Sequence, residues 1–234
     1  MESVWWVFKR LYEQGDVYRS YQIMPYSTAL NTPLSNFEAQ QNYKDTQDPA
    51  IVVSCPLLDL SNSRTSLLIY TTTPWTLPSN IAIAAHPRFI YTKLWDEVTQ
   101  QAYIILESRI PALYKDPKKA KYKIIGTVTG REMLGWRYEP IFDFFAETFK
   151  HAFRVINAEF VTSDEGTGLV HIAPAFGPED FQAATDAGII SQNLLPPNPV
   201  DESGCFTAEI PEYQAQQKYL SIRDSMSKTR KRQF

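Results

Sequence analysis

SLLIYTTTPWTLPSNIAIAAH, residues 66–86, sets two apolar runs on either side of a segment crowded with hydroxyls. Ser66–Tyr70 and Ile81–His86 read as short buried strands. Pro74 and Pro78 cannot donate to a β-ladder, so pairing must stop there and the chain must open into a loop. Thr71, Thr72, Thr73, Thr76 and Asn80 then offer hydroxyls and an amide on a backbone that two prolines stiffen, a polar surface held at small entropic cost. The same residues would equally serve as a well-made strand end with Asn80 in a turn, and the residues alone leave both readings open.

Working outward, the same type of run recurs. VYRSYQIMPYST (17–28), AIVVSCPLL (50–58), RFIYTKLW (88–95), AYIILE (102–107), KYKIIGTV (121–128), FRVINAEFV (153–161) and GLVHIA (168–173) are short, and turn-forming residues bound them. This spacing favours a mostly β fold with peripheral helices (α+β), barrel-like, over alternating βαβ units. Helices are expected at 2–14, near 142–150, from Pro178 to Ala187 with Gly188 closing it, and near 212–228. The first is amphipathic, with Val4, Trp5, Phe8, Leu11 and Tyr12 on one face.

Composition excludes several functions. A chain of 234 residues, 44% hydrophobic, can bury a full core as one domain. Asp and Glu number 26 against 23 Lys and Arg, so a net charge of -3 gives no global field for a polyanion, and nucleic acid would need a local patch. Two cysteines without CxxC spacing and three histidines argue against a metal site and for a reducing, cytoplasmic setting. No apolar run approaches the ~18 residues of a membrane span. The lysines of LYKDPKKAKYK (Lys115, Lys118, Lys119, Lys121 and Lys123) suit a solvated loop or a phosphate contact.

A second stretch carries chemistry. In EGTGLVHIAPAFGPEDF, residues 165–181, Gly166 and Gly168 permit tight backbone geometry and LVHIA reads as a buried strand. Pro178 is suited to the first position of a helix, placing Glu179 and Asp180 in a first turn where carboxylates are favoured. Asp180 could be dipole compensation alone, and His171 a satisfied core histidine. Neither stretch holds a nucleophile triad, a phosphate-cradling glycine loop or a metal quartet, so no covalent, metal or cofactor chemistry is expected. A carboxylate, an imidazole, hydroxyls and an amide can bind an α-amino group and orient water, which suits hydrolysis of a bond already labile.

TTTPWTLPSN and GTGLVHIAPAFGPEDF resemble the threonine-rich and GTG/Asp segments of the editing domain inserted into class I aminoacyl-tRNA synthetases. The likeness is closest to the isoleucyl branch, because the valyl and leucyl relatives typically carry Arg at the position of Thr73, an acidic residue at Trp75 and no His at 171. MPYSTALNTPLSNFEAQQNYKDTQDP (24–49) and PVDESGCFT (199–207) further resemble the eukaryotic cytosolic members. The resemblance spans nearly the whole chain and is weakest in 55–66 and 95–135. No HIGH-like signature or nucleotide-binding half is present, and SMSKT at 225–229 mimics the other synthetase signature without one. The chain therefore resembles a single editing domain over 1–234, with 1–20 and 212–234 as helical connections to a catalytic body.

The resemblance implies roles. Asp180 would take the α-ammonium of a misattached amino acid; Thr72, Thr73 and Asn80 would hold the substrate and place water, with Thr71 and Thr76 assisting. His171 would wall the side-chain pocket against isoleucine, and Trp75 would either pack on the threonine loop or contact the terminal adenosine. The partners implied are the 3′ acceptor end of tRNA(Ile) carrying valine and the parent synthetase domains, with a ribose hydroxyl orienting the water. The alternatives are a non-catalytic module that docks the acceptor end, and editing of the valyl or leucyl type.

Overall fold

Strand β4 (Thr65–Thr71) pairs along one edge with antiparallel β3 (Ile51–Pro56), while its other edge is divided between parallel β7 (Gln101–Leu106) and parallel β10 (Leu169–Ile172). The computed structural model describes residues 1–41, 50–58, 65–114 and 121–213. From β7 the sheet runs antiparallel through β6 (Ile90–Asp96) to β8 (Tyr122–Thr129). From β10 it runs through antiparallel β5 (Ala82–Ala85) to β9 (Arg154–Asn157), which is parallel to β5. The result is one eight-stranded mixed sheet, curled as a half-barrel. The mostly β expectation is met, with parallel pairs that local sequence did not announce.

Period-2 alternation explains why both faces of this sheet are covered. On β4, Leu67 and Ile69 enter the main core with Ile83, Leu169, Ile172 and Val155, whereas Leu68 enters a second cluster with Leu94, Tyr103 and Ile105. All four residues of β5 are buried, which its Ala-rich sequence permits by keeping that strand thin.

Helix α1 (Glu2–Gln14) forms as expected and ends at Gly15, whose φ of 84° supplies the left-handed cap. None of its residues is buried; Trp5, Trp6, Phe8 and Tyr12 are all exposed. A short α2 (Asn36–Ala39) is capped by Ser35 and Glu38, and α3 (Ile110–Leu113) follows β7. Helix α4 (Pro178–Asp186) begins where Pro178 places it.

Two expectations fail. The run 17–28 is not a strand: only Tyr26–Ser27 (β1) pairs, with Thr32–Pro33 (β2), because alternation cannot make a strand that has no neighbouring edge. Residues 142–150 form successive turns. There Phe145 and Phe149 join the main core, while Phe144 packs against both that core and the separate Phe206–Ile210 cluster and Phe142, stacked on it at 5.6 Å, meets Tyr213 edge-on, so the segment serves two clusters at once. The helix expected over 212–228 lies outside the described residues beyond Tyr213, as do Lys115, Lys118 and Lys119.

Candidate active site

Beyond β4 the chain turns directly into a 3-10 helix over Pro74–Ser79, so the threonines are fixed by a tight coil. Thr71 Oγ1 accepts the Thr73 backbone N–H at 3.0 Å and lies 3.3 Å from Thr73 Oγ1. Thr76 Oγ1 donates to the Thr73 carbonyl at 2.8 Å. These bonds divide the segment into two roles: Thr71, Thr76 and Asn80 are buried, while Thr72 and Thr73 are exposed and can meet a ligand. Both ends of the Asn80 amide are engaged: its Nδ2 donates to the Ala82 carbonyl at 2.8 Å and its Oδ1 accepts the Tyr138 hydroxyl at 2.6 Å. Asn80 therefore fastens the end of the segment to the core.

The second segment meets the first at His171. On β10 its Nε2 lies 3.0 Å from Thr76 Oγ1. Thr76 has already spent its one proton on the Thr73 carbonyl, so the imidazole must be the donor and Nε2 carries hydrogen. The ring is 6% exposed, and its Nδ1 is buried without a hydrogen-bond partner. Burial lowers its pKa to about 4, which keeps it neutral. One ring nitrogen is thus satisfied inside the core and, among the described residues, the other is not.

Asp180 folds back from the first turn of α4. Its Oδ2 accepts the Ala173 backbone N–H at 2.9 Å, tying the helix to the end of β10 two residues past His171. Burial raises its pKa to about 6; the Ala173 bond opposes this and the nearby charge of Glu179 adds to it. The carboxylate sits in the first turn of α4, where the helix dipole also favours its charge. It remains mainly ionised at neutral pH, in poor solvation, which favours a cationic partner. The Trp75 ring packs edge-on against Phe176 at 4.8 Å, a second contact between the segments. Phe206 and Ile210 form a small cluster against which Trp75 also packs.

Sequence reading missed Tyr138 and Phe176; no local signal in LGWRYEP announces that Tyr138 reaches a residue 58 positions away. It also missed a cavity of about 670 Å³ on the far side of α4, between Glu179, Gln182, Ala183 and Asp186 of the helix and Arg154 and Ile156 of β9. That cavity shares no residue with the threonine segment, His171 or Asp180. Among the described residues no group of histidine, cysteine and carboxylate side chains could hold a metal ion. No described helix is long and apolar enough to cross a membrane.

Comparison with known proteins identifies the family of the chain. The sequence model of the class I tRNA synthetases (I, L, M and V) matches residues 1–231, and the chain belongs to that family. Within it the chain is similar to cytoplasmic isoleucine–tRNA ligases: 51% identical to that of Saccharomyces cerevisiae and 52% to that of Schizosaccharomyces pombe, each match covering 92% of this chain and 20% of the relative. The mouse cytoplasmic enzyme is 47% identical, over 92% of this chain and 17% of its own length. The chain thus spans about one fifth of the length of these relatives. Among solved structures, the editing domain of the Plasmodium knowlesi cytosolic leucyl-tRNA synthetase shows a loose likeness, with a TM-score of 0.48 and 12% identity over 60% of this chain and 61% of that one.

Proposed function

We propose that this chain is the editing module of a cytosolic isoleucine–tRNA ligase and hydrolyses valyl-tRNA(Ile). The observation that supports the reading is the junction of the two segments: the Thr76–His171 bond joins the threonine segment to β10, and the Asp180–Ala173 bond ties the carboxylate to the end of the same strand, with Thr72 and Thr73 exposed on the first segment. One missing methylene in an apolar pocket is worth only about 1–3 kcal/mol, a figure for which isoleucyl-tRNA synthetases are themselves the standard illustration. Valine is therefore charged in error, and a second pocket that admits valine but excludes isoleucine removes it.

In this reading the Asp180 carboxylate takes the α-ammonium of the attached valine in a charge-assisted pair. Its desolvation is offset once that cation arrives. Thr72 and Thr73 hold the ester end, Thr71, Thr76 and Asn80 keep that segment rigid, and the His171 ring closes the side-chain pocket. Water attacks the ester carbonyl carbon, the bond to the ribose oxygen breaks, and a proton passes to that oxygen, leaving free valine and uncharged tRNA. No side chain here is a strong base, so a ribose hydroxyl orients the water. The tRNA body and the remaining synthetase domains are the partners. Helix α1 supports this, since its bare Trp5, Trp6 and Phe8 need a surface to cover them.

The test is deacylation of valyl-tRNA(Ile) and isoleucyl-tRNA(Ile) by the chain, each compared with spontaneous ester loss. The valyl ester is expected to be cleaved and the isoleucyl ester spared. Binding of the acceptor end with no cleavage of either would instead make this a docking module.

A further inference from the structure

The loop that leads into β10 is held from one side by four separate donors. Arg109, at the end of a 3-10 turn after β7, donates from Nε to the Gly166 carbonyl at 3.0 Å and from Nη1 to the Asp164 carbonyl at 2.8 Å. The Leu106 N–H reaches the Thr167 carbonyl at 2.9 Å, and the Tyr91 hydroxyl reaches that of Gly168 at 2.8 Å. The backbone can be drawn in this closely because Gly166 and Gly168 adopt φ of 63° and 76° and have no side chain; a Cβ at Gly168 would lie 2.3 Å from Leu106 Cβ. Ladder pairing does little on this side, since β10 meets β4 at Val170↔Tyr70 alone.

His171 follows this loop by three residues, and among the described residues the bond from its Nε2 to Thr76 is the one hydrogen bond its ring makes, Nδ1 being without a partner there. The ladder to β5, in which His171 faces Ile83, sets the register of the strand on one edge, and on the other edge the seating of the ring depends on where the backbone of β10 starts. We infer that Arg109 is a positioning residue for the pocket wall: by clamping the carbonyls of Asp164 and Gly166 it fixes where β10 begins and holds His171 against Thr76. In doing so it sets which side chains the site rejects. The inference rests on the editing reading for its effect on specificity, but the placement of the ring is measurable without it.

Arg109 is partly exposed, whereas Tyr91 and Leu106 are core, so it can be changed with the fold kept. Arg109→Met retains the stem and removes both donors; Arg109→Lys keeps the charge and can serve one carbonyl. The measurements are thermal melting, imidazole nitrogen and proton resonances of His171, and deacylation of the valyl and isoleucyl esters of tRNA(Ile). Arg109→Met is expected to melt within a few degrees of the parent and to shift the His171 resonances. Its preference for the valyl ester should narrow by on the order of tenfold to a hundredfold, the scale on which an ångström of misplacement is felt. Arg109→Lys should fall between, and it carries the test if Arg109→Met does not fold. A folded variant with unmoved His171 resonances, or with the parent's valyl-to-isoleucyl ratio, overturns the inference. If the parent cleaves neither ester the editing reading fails, and the resonances alone then decide whether Arg109 positions His171.

Discussion

Replacing Asp180 by asparagine should make the protein more stable at neutral pH while disabling it. Burial raises the carboxyl from 3.8 to about 6, so the folded state resists ionisation. A raised carboxyl pKa means that the wild-type side chain destabilises the fold increasingly as pH climbs from about 4 through 6, and that this burden is absent when the group is protonated. Two pKa units correspond to about 3 kcal/mol as a ceiling. Partial solvent contact reduces this to roughly 1–2 kcal/mol. Asparagine keeps an oxygen for the Ala173 N–H, 2.9 Å away in the wild type, so the local bond survives. Melting of both proteins at pH 4 and pH 8 measures the effect, and His171 cancels because both carry it. The variant should gain over wild type at pH 8 and show little advantage at pH 4. Hydrolysis of valyl-tRNA(Ile) should fall thirtyfold or more, corresponding to about 2–5 kcal/mol for an unpaired buried ammonium. In the wild type the same hydrolysis should fade as pH drops through about 6. A variant less stable than wild type at pH 8, or a stability difference unchanged with pH, would refute the reasoning.

His171→Ala should let isoleucyl-tRNA(Ile) be cleaved while the valyl ester still is; an intact preference for valine would remove His171 from the pocket wall. Tyr138→Phe deletes the 2.6 Å bond to Asn80 Oδ1 and strands that oxygen in the core, so calorimetry or urea unfolding should show a loss of about 1–3 kcal/mol. A loss below about half a kcal/mol would mean that Asn80 finds another donor.

Much of the fold was legible because its signals are local. Pro74 and Pro78 bar any strand beyond β4 and Pro74 opens the 3-10 helix that follows it, while Pro178 starts α4 because its fixed φ suits a first turn. Buried runs such as IAIAAH and GLVHIA became β5 and β10. The failures at 17–28 and 142–150 share a cause: alternation and helical spacing describe what a segment could do, and only neighbours decide whether an edge or a face is there to receive it.

The sequence by itself determined most of the buried strand runs, which residue types crowd the two polar segments, and the family they belong to. Only the tertiary structure decided how those residues are used. It spent the amide of Asn80 on Tyr138, left Thr72 and Thr73 exposed, and joined Thr76 to His171 across 95 positions. It also turned Asp180 from a dipole-stabilised acid into one raised to about 6. The physical reason is that hydrogen-bond partners and dielectric surroundings come from chain segments distant in sequence, and no local pattern encodes them.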